Sequence, residues 1–334
     1  MSYIPKNILV TGGAGFIGSH FVHYYQEHHP EIFIVNLDKL TYAGSLNNLK
    51  NLRFSEQHHF VQGDILDNNL VLKLLKNFKI DTLVHFAAET HVDRSISSPE
   101  KFLQTNISGT LALLEACRKY WLQEQGFRKD DCRFHHISTD EVYGSLQKDE
   151  PAFTEHMPYR PNSPYSASKA SSDYLVRAYY ATYGLPVSLT NCSNNYGPLQ
   201  HKEKFIPTVI HQCLIQQPIP VYGDGSNIRD WLYVYDHCSA IDAVIRRGRI
   251  GETYNIGGNN ELSNLAVISA ICDVLAKIKS SAFNYKQLIS FVKDRPGHDW
   301  RYAINAEKIN KELAWHPKET FSSGIIKTLT AYQY

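Results

Sequence analysis

The sequence predicts an α/β fold, a doubly wound parallel sheet carrying a smaller α/β lobe. Three observations lead there. Short β-branched or apolar runs alternate with amphipathic stretches through the first half, a glycine-rich turn joins the first such run to the first amphipathic stretch, and the second half carries longer loops with more proline and glycine. Strand and helix in alternation build a parallel sheet with helices on both faces.

Asn7–Thr11 reads as the first strand, and Gly15–His28 follows the turn as a helix. Phe33–Leu37, His59–Gln62, Thr82–Phe86 and Arg133–Ser138 read as further strands, being apolar runs too short for buried helices. Asn68–Lys76 and Pro99–Gln123 carry helical spacing. Pro198–Pro207 and Pro218–Gly225 are loop-rich, as expected of a lobe folded over the sheet's carboxyl ends. No internal repeat or low-complexity segment interrupts the chain.

The 334 residues, 43% hydrophobic and 20% charged, allow a substantial core and two lobes. A net charge of +1 gives no electrostatic reason to expect nucleic acid or an anionic membrane as partner. No run is apolar enough to span a bilayer and no signal peptide is expected, which points to the cytoplasm. The six cysteines are scattered without metal-type spacing and read as free, buried thiols. Sixteen histidines include no H-E-x-x-H, so no catalytic metal is expected. The sequons at Asn106 and Asn191 read as chance matches in such a chain.

Thr11–Gly18 contains G-x-x-G-x-x-G (Gly12, Gly15, Gly18) and, overlapping it, G-x-G-x-x-G. It follows a strand, opens a helix at Phe16 and Ile17, and has Asp38 at the next strand's end, the context a Rossmann-type dinucleotide fingerprint requires. Glycine lets the backbone approach a pyrophosphate at the helix N-terminus. Asp38 is expected to accept from the adenosine ribose and to repel a 2′-phosphate, favouring NAD, although the neighbouring Lys39 could meet a phosphate. Thr41, Asp64, Ile65, Ala87 and Ala88 are expected to border the same cofactor. Residues 1–190 form the expected Rossmann domain, completed by part of 228–256, with 191–334 mainly the second lobe.

Tyr165 and Lys169 stand one helical turn apart after Pro164. Such a pair can remove a hydroxyl proton while a nicotinamide takes the hydride. Bringing a tyrosine from its ordinary value near 10 to neutrality takes about 4 kcal/mol, which Lys169 and a positive nicotinamide ring could supply. Asp140 and Glu141 follow a strand that ends at the sheet's ligand-binding edge, and Thr139 offers a hydroxyl beside them. Two carboxylates in one site drive their pKa values apart, leaving one acid and one base. Solvated loop carboxylates would show the same residues.

The chain resembles the extended short-chain dehydrogenase/reductases, and within them the dTDP-glucose 4,6-dehydratases, from Ile8 to about Pro317. The likeness rests on the glycine loop, Asp38–Gly44, Ala88–Ser95, Ser138–Gly144, Tyr165–Lys169, Asn194–Pro198, Arg229–Trp231 and Asp294–Asp299. It implies that Tyr165, aided by Lys169, deprotonates a sugar 4-hydroxyl as hydride passes to NAD. Glu141 then removes the C5 proton, Asp140 protonates the departing 6-hydroxyl, hydride returns to C6 and a proton returns to C5. It further implies that Thr90, Thr139, Asn195, Lys204, Arg229, Asn264, Arg295 and His298 contact the nucleotide sugar, dTDP-glucose. The product class feeds deoxysugar pathways, rhamnose among them.

Thr-Asp-Glu matches the glucose dehydratase pattern, where GDP-mannose dehydratases and UDP-glucuronate decarboxylases typically show Thr-Ser-Glu and epimerases usually lack the pair. Another nucleotide-sugar 4,6-dehydratase, an epimerase or a decarboxylase is the first rival, and a non-catalytic NAD-binding scaffold the second. Tyr235 and Leu199–Lys202 depart from the family pattern. The resemblance also implies a homodimer pairing helices over 99–122 and 164–183, with Leu111, Leu114, Leu175 and Tyr179 as candidate contacts.

Overall fold

Strand β1 (Asn7–Thr11) runs through the middle of the main sheet, with Ile8, Leu9 and Val10 fully buried. A strand covered on both faces must be a continuous apolar run, as this one is. The computed structural model describes residues 2–294 and 297–332. After β1 come α1 (Phe16–His28), β2 (Phe33–Asp38), β3 (His58–Gln62), α2 (Asn68–Asn77) and β4 (Thr82–His85). The short helices α3 (Val92–Ser97) and α4 (Pro99–Phe102) lead into α5 (Gly109–Cys117). The helix expected over Pro99–Gln123 is one continuous helical path whose turns widen to π geometry over Leu103–Ser108 and Arg118–Glu124.

β5 (Arg133–Thr139) is buried along its whole length. α6 (Pro164–Tyr183) has clear start and stop signals: Pro164 in its first turn, a reciprocal Ser163–Ser166 capping box, and Gly184 at φ 70° ending it. β6 (Val187–Cys192) follows. The chain then leaves the sheet through β7 (Asn194–Tyr196), α7 (Phe205–Leu214), β8 (Ile219–Tyr222) and β9 (Ile228–Tyr233). It returns with α8 (Val234–Arg247) and β10 (Thr253–Ile256), then departs again through β11 (Glu261–Ser263), α9 (Asn264–Ile278), β12 (Ile289–Val292), α10 (Glu307–Leu313) and α11 (Phe321–Ala331).

The main sheet has seven strands in the order β10-β6-β5-β4-β1-β2-β3, every pair parallel. Strand order reverses between β1 and β4, the crevice where open α/β sheets bind ligands. Leu9, Leu83 and Phe134 pack one face against α2, α5 and α6, while Ile8, Val10 and Val84 pack the other against α1 and α8. The second lobe builds its own core around Trp231, Ile210 and Ile271, with a three-stranded sheet ordered β11-β9-β7 and a β12-β8 pair. All six cysteines are free and buried.

Two of the residues offered as subunit contacts face inward. Leu114 is fully buried and Tyr179 nearly so, both in this chain's own core. Helical spacing marks an apolar face without saying which neighbour covers it. The exposed large hydrophobic side chains on the same helical segments are Leu103, Leu111, Tyr174, Tyr180 and Tyr183.

Candidate active site

The carboxyl ends of β1, β2, β4, β5 and β6 open into one cleft. Gly12 sits at φ 72°, and a Cβ there would meet the Ala87 backbone at 2.6 Å. A Cβ on Gly18 would meet the Gly12 carbonyl at 2.4 Å. These positions admit only glycine because the loop, the β4 end and the start of α1 are in contact. Gly15, Phe16 and Ile17 complete this wall, with the N-terminus of α1 facing the cleft.

Asp38 ends β2 almost buried. Its Oδ2 accepts from Ala14 N at 2.9 Å and its Oδ1 from Leu40 N at 2.8 Å. One carboxylate therefore ties the glycine loop to the next loop, and its remaining lone pairs can still receive ribose hydroxyls. Lys39 pairs with Asp64 at 2.7 Å. Thr41, Asp64, Ile65, Ala87 and Ala88 all line the cleft. A close-fitting glycine cradle, a carboxylate at the second strand's end and small residues along the floor fit a dinucleotide.

β5 gives way at Thr139 to a 3₁₀ turn over Asp140–Tyr143, where the Thr139 hydroxyl accepts from Glu141 N at 3.3 Å. The turn breaks strand alternation, so consecutive side chains need not point oppositely. Glu141 and Thr139 line the cleft. Asp140 lies beneath, 1% exposed, taking a 3.3 Å hydrogen bond from the Thr139 hydroxyl on Oδ1. Its buried Oδ2 has no hydrogen-bond partner among the described residues. Burial, reinforced by Glu141 and Asp230, holds the Asp140 carboxyl well above the usual carboxylate range.

Tyr165 and Lys169 line the same cleft from the start of α6. Burial pushes the Tyr165 phenol well up, with Glu141 adding to it and a hydrogen bond to Thr139 opposing. Lys169 Nζ donates to the Ile137 carbonyl at 2.7 Å and lies 3.4 Å from His136 Nε2. Burial lowers its pKa to about 8, with Asp173 working the other way.

The remaining candidates divide. Thr90, Asn195 and Lys204 line the cleft. Lys204 Nζ donates to the Thr90 carbonyl at 3.0 Å, and Asn195 Nδ2 to the Ser193 carbonyl at 2.9 Å. Arg229 is 6% exposed on β9. It donates to the carbonyls of Ile228 and Asp299 at 2.7 and 2.9 Å, its guanidinium lies 4.2 Å from the Tyr302 ring centre, and its charge reaches Asp140. Asn264 opens α9, and His298 pairs with Asp294 at 2.7 Å. Arg295 lies outside the described residues.

The GDP-mannose 4,6 dehydratase family matches residues 9–328. A dTDP-glucose 4,6-dehydratase of Salmonella typhimurium is 53% identical, covering 97% of this chain and 92% of its own. A Bacillus anthracis dTDP-glucose 4,6-dehydratase solved in complex with NAD is 47% identical with TM-score 0.86, covering 98% of this chain and 96% of that one. Another, from Streptomyces venezuelae with NAD and TYD bound, is 44% identical with TM-score 0.88, covering 98% and 97%. The chain belongs to the dTDP-glucose 4,6-dehydratase family.

Membership in the dTDP-glucose 4,6-dehydratases directs attention to groups that sequence reasoning passed over. Asn106 looked like a chance sequon, but it is 1% exposed in the first π turn. Its amide donates to the Glu89 carbonyl at 3.0 Å and to Ser168 Oγ at 2.8 Å, and accepts from Glu89 N at 2.9 Å, bracing the β4 loop against α6. A polar amide within a helical run that favours better helix formers was the available signal. Cys192 and Ser193 also line the cleft. Their place at the carboxyl end of a parallel strand could have found them.

Proposed function

We propose that this chain converts dTDP-glucose to dTDP-4-keto-6-deoxyglucose, with NAD as a retained cofactor. The observation that carries the reading is the buried Asp140, its carboxyl held well above the usual range, next in the chain to Glu141, which lines one cleft with Tyr165 and Lys169. Alcohol oxidation alone needs only the last two.

NAD, when bound, supplies the hydride acceptor for the sugar C4 and the hydride returned to C6. The glycine cradle and Asp38 hold the dinucleotide. Tyr165 takes the 4-hydroxyl proton, and the Lys169 ammonium favours its phenolate. Thr139 offers its hydroxyl to the same oxygen. Once C4 is a ketone the C5 hydrogen is acidic, and Glu141 removes it. Asp140 delivers its proton to the departing 6-hydroxyl as water leaves, and a proton returns to C5 once C6 has received the hydride. Lys204, Asn195, Arg229, Asn264, Arg295 and His298 are assigned to the nucleotide and diphosphate, with arginine suited to phosphate through its planar fork. Because the cofactor ends each cycle as it began, it need not exchange.

A cytoplasmic homodimer belongs to the same proposal. Six buried free thiols suit a reducing compartment, and Leu111, Tyr174 and Tyr180 offer exposed apolar surface on α5 and α6 for a second copy. Light scattering tests the dimer. The product class fits deoxysugar supply, rhamnose included.

The experiment is incubation of purified protein with dTDP-glucose and no added NAD, followed by mass spectrometry and NMR. Loss of one water with a new C6 methyl doublet supports both the dehydration and the retained cofactor. No conversion, with or without NAD, overturns the assignment of substrate.

A further inference from the structure

Behind Lys169, sealed between α6 and β5, lies a polar cluster that the proposed steps do not use. Asp173, one turn after Lys169 on α6, is fully buried. Its Oδ2 accepts a 2.7 Å hydrogen bond from Ser138 Oγ, and its Oδ1 stands 3.3 Å from His136 Nε2. The same ring nitrogen is 3.4 Å from Lys169 Nζ and 3.3 Å from Ser172 Oγ. The Tyr159 phenol, which accepts from Asn191 Nδ2 at 3.0 Å, also bears on the Asp173 carboxyl.

The arrangement follows from two periodicities. Positions 136 and 138 share one face of a strand, and positions 169, 172 and 173 share one face of a helix. A lysine ammonium with 4% exposure cannot be left without a counter-charge, because desolvation costs several kcal/mol per ion. His136 and His85 are kept neutral by burial and supply none.

We propose that Asp173 is a positioning residue for the oxidation: its carboxylate, held by Ser138 and facing His136, is the counter-charge that keeps Lys169 an ammonium and so sets the ionisation of Tyr165. The proposal rests on the reading of Tyr165 and Lys169 as the proton-handling pair. The titratable groups facing Asp173 are Lys169 on α6, His136 on β5, Tyr159 before α6 and Tyr143 in the 3₁₀ turn. Cys192 on β6 and His85 on β4 face Lys169 from beyond. With Asp173 neutral, the larger of the two influences opposing burial at Lys169 is gone and its ammonium is lost at lower pH. On the reading of the two as one proton-handling pair, Tyr165 then loses the charge that favours its phenolate and ionises at higher pH. Loosened packing alone hydrates both groups and moves them the other way, Lys169 up and Tyr165 down, so the sign of the Tyr165 shift separates the two.

The test is the Tyr165 phenolate titration in the NAD-loaded protein, read as an ultraviolet difference spectrum against Tyr165→Phe, for wild type and Asp173→Asn. The expected result is an upward shift of about one pH unit or more. It comes with an alkaline limb of kcat displaced downward and kcat reduced about tenfold while KM stays nearly constant. Asp173→Glu restores part of the shift. A folded Asp173→Asn with an unmoved Tyr165 titration overturns the proposal. Should Asp173→Asn fail to fold, Ser138→Ala carries the same test: burial raises the Asp173 carboxyl to about 7, and this removes a hydrogen bond that, after Lys169, works against that rise; an unmoved titration there overturns it too. The titration needs no sugar, so its outcome is separate from whether dTDP-glucose is the substrate.

Discussion

Asp140 and Glu141 are consecutive in the chain and opposite in exposure: Asp140 is sealed at 1% exposure while Glu141 lines the cleft. That difference, more than the presence of two carboxylates, supports the proposed division into acid and base. Asp140→Asn therefore leaves C4 oxidation intact and slows elimination by about 10²–10⁴-fold, the usual worth of a general acid. Rapid quench and mass spectrometry check it: the variant holds a 4-keto-glucose nucleotide, whereas Tyr165→Phe holds only substrate. Equal loss of C4 oxidation in the two variants sinks the division of labour.

Asp38→Asn tests the double role of the β2 carboxylate. An amide can accept from Ala14 N or Leu40 N but then turns its NH₂ toward the other donor. Leaving a buried donor unmet costs about 1–3 kcal/mol. The expected result is protein that loses NAD on gel filtration and melts a few degrees lower. A variant that keeps stoichiometric NAD refutes the cradle's dependence on Asp38.

Much of this site was legible from residue order alone. The glycine loop, Asp38 and the Tyr165–Lys169 turn are local patterns, and strand–turn–helix context gives each a direction. Asp140's concealment was not legible, because adjacent residues carry no record of which one a 3₁₀ turn buries. Arg229, expected to contact the nucleotide sugar, is nearly buried and donates to carbonyls distant in sequence, which its place in the chain does not reveal. The inward turn of Leu114 and Tyr179 was equally hidden, since a face covered by the chain's own core and one covered by a second copy have the same composition.

Glu203 gathers three segments over the mouth of the cleft. It binds Arg94 at 2.7 Å and faces His201 and His91 at 3.6 and 3.8 Å, while Arg94 lies 3.8 Å from the centre of the Tyr42 ring. Glu203→Ala is expected to release NAD severalfold faster without altering turnover per bound cofactor, a modest change because the Arg94 side is half exposed. A competition chase with labelled NAD measures it, and an unchanged off-rate removes Glu203 from cofactor retention.

Acid should destabilise this protein early. Burial holds His85, His135 and His136 far below their ordinary value of 6.5, and lowers His20 to about 4 and His237 to about 3. Folded pKa values lie below unfolded ones, so the stabilisation is present above about 6.5 and is lost as the pH falls toward 4. At pH 5.5 each such group costs about 1.4 kcal/mol. Urea midpoints at pH 7.5 and 5.5 check the sign; equal midpoints contradict it.

The pairing of β10 with β6 joins Thr253 to Leu189, with the whole β7–α8 excursion threaded between them. On the ribosome, a nascent chain released only as far as β6 has its outer strand open as an unpaired parallel edge, a template for wrong partners. Closure waits until the second lobe's first elements have emerged, and such distant pairing is slow. A gene fragment ending near residue 190 is thus a poor way to obtain the cofactor half, and the two lobes share one fate in synthesis, quality control and turnover.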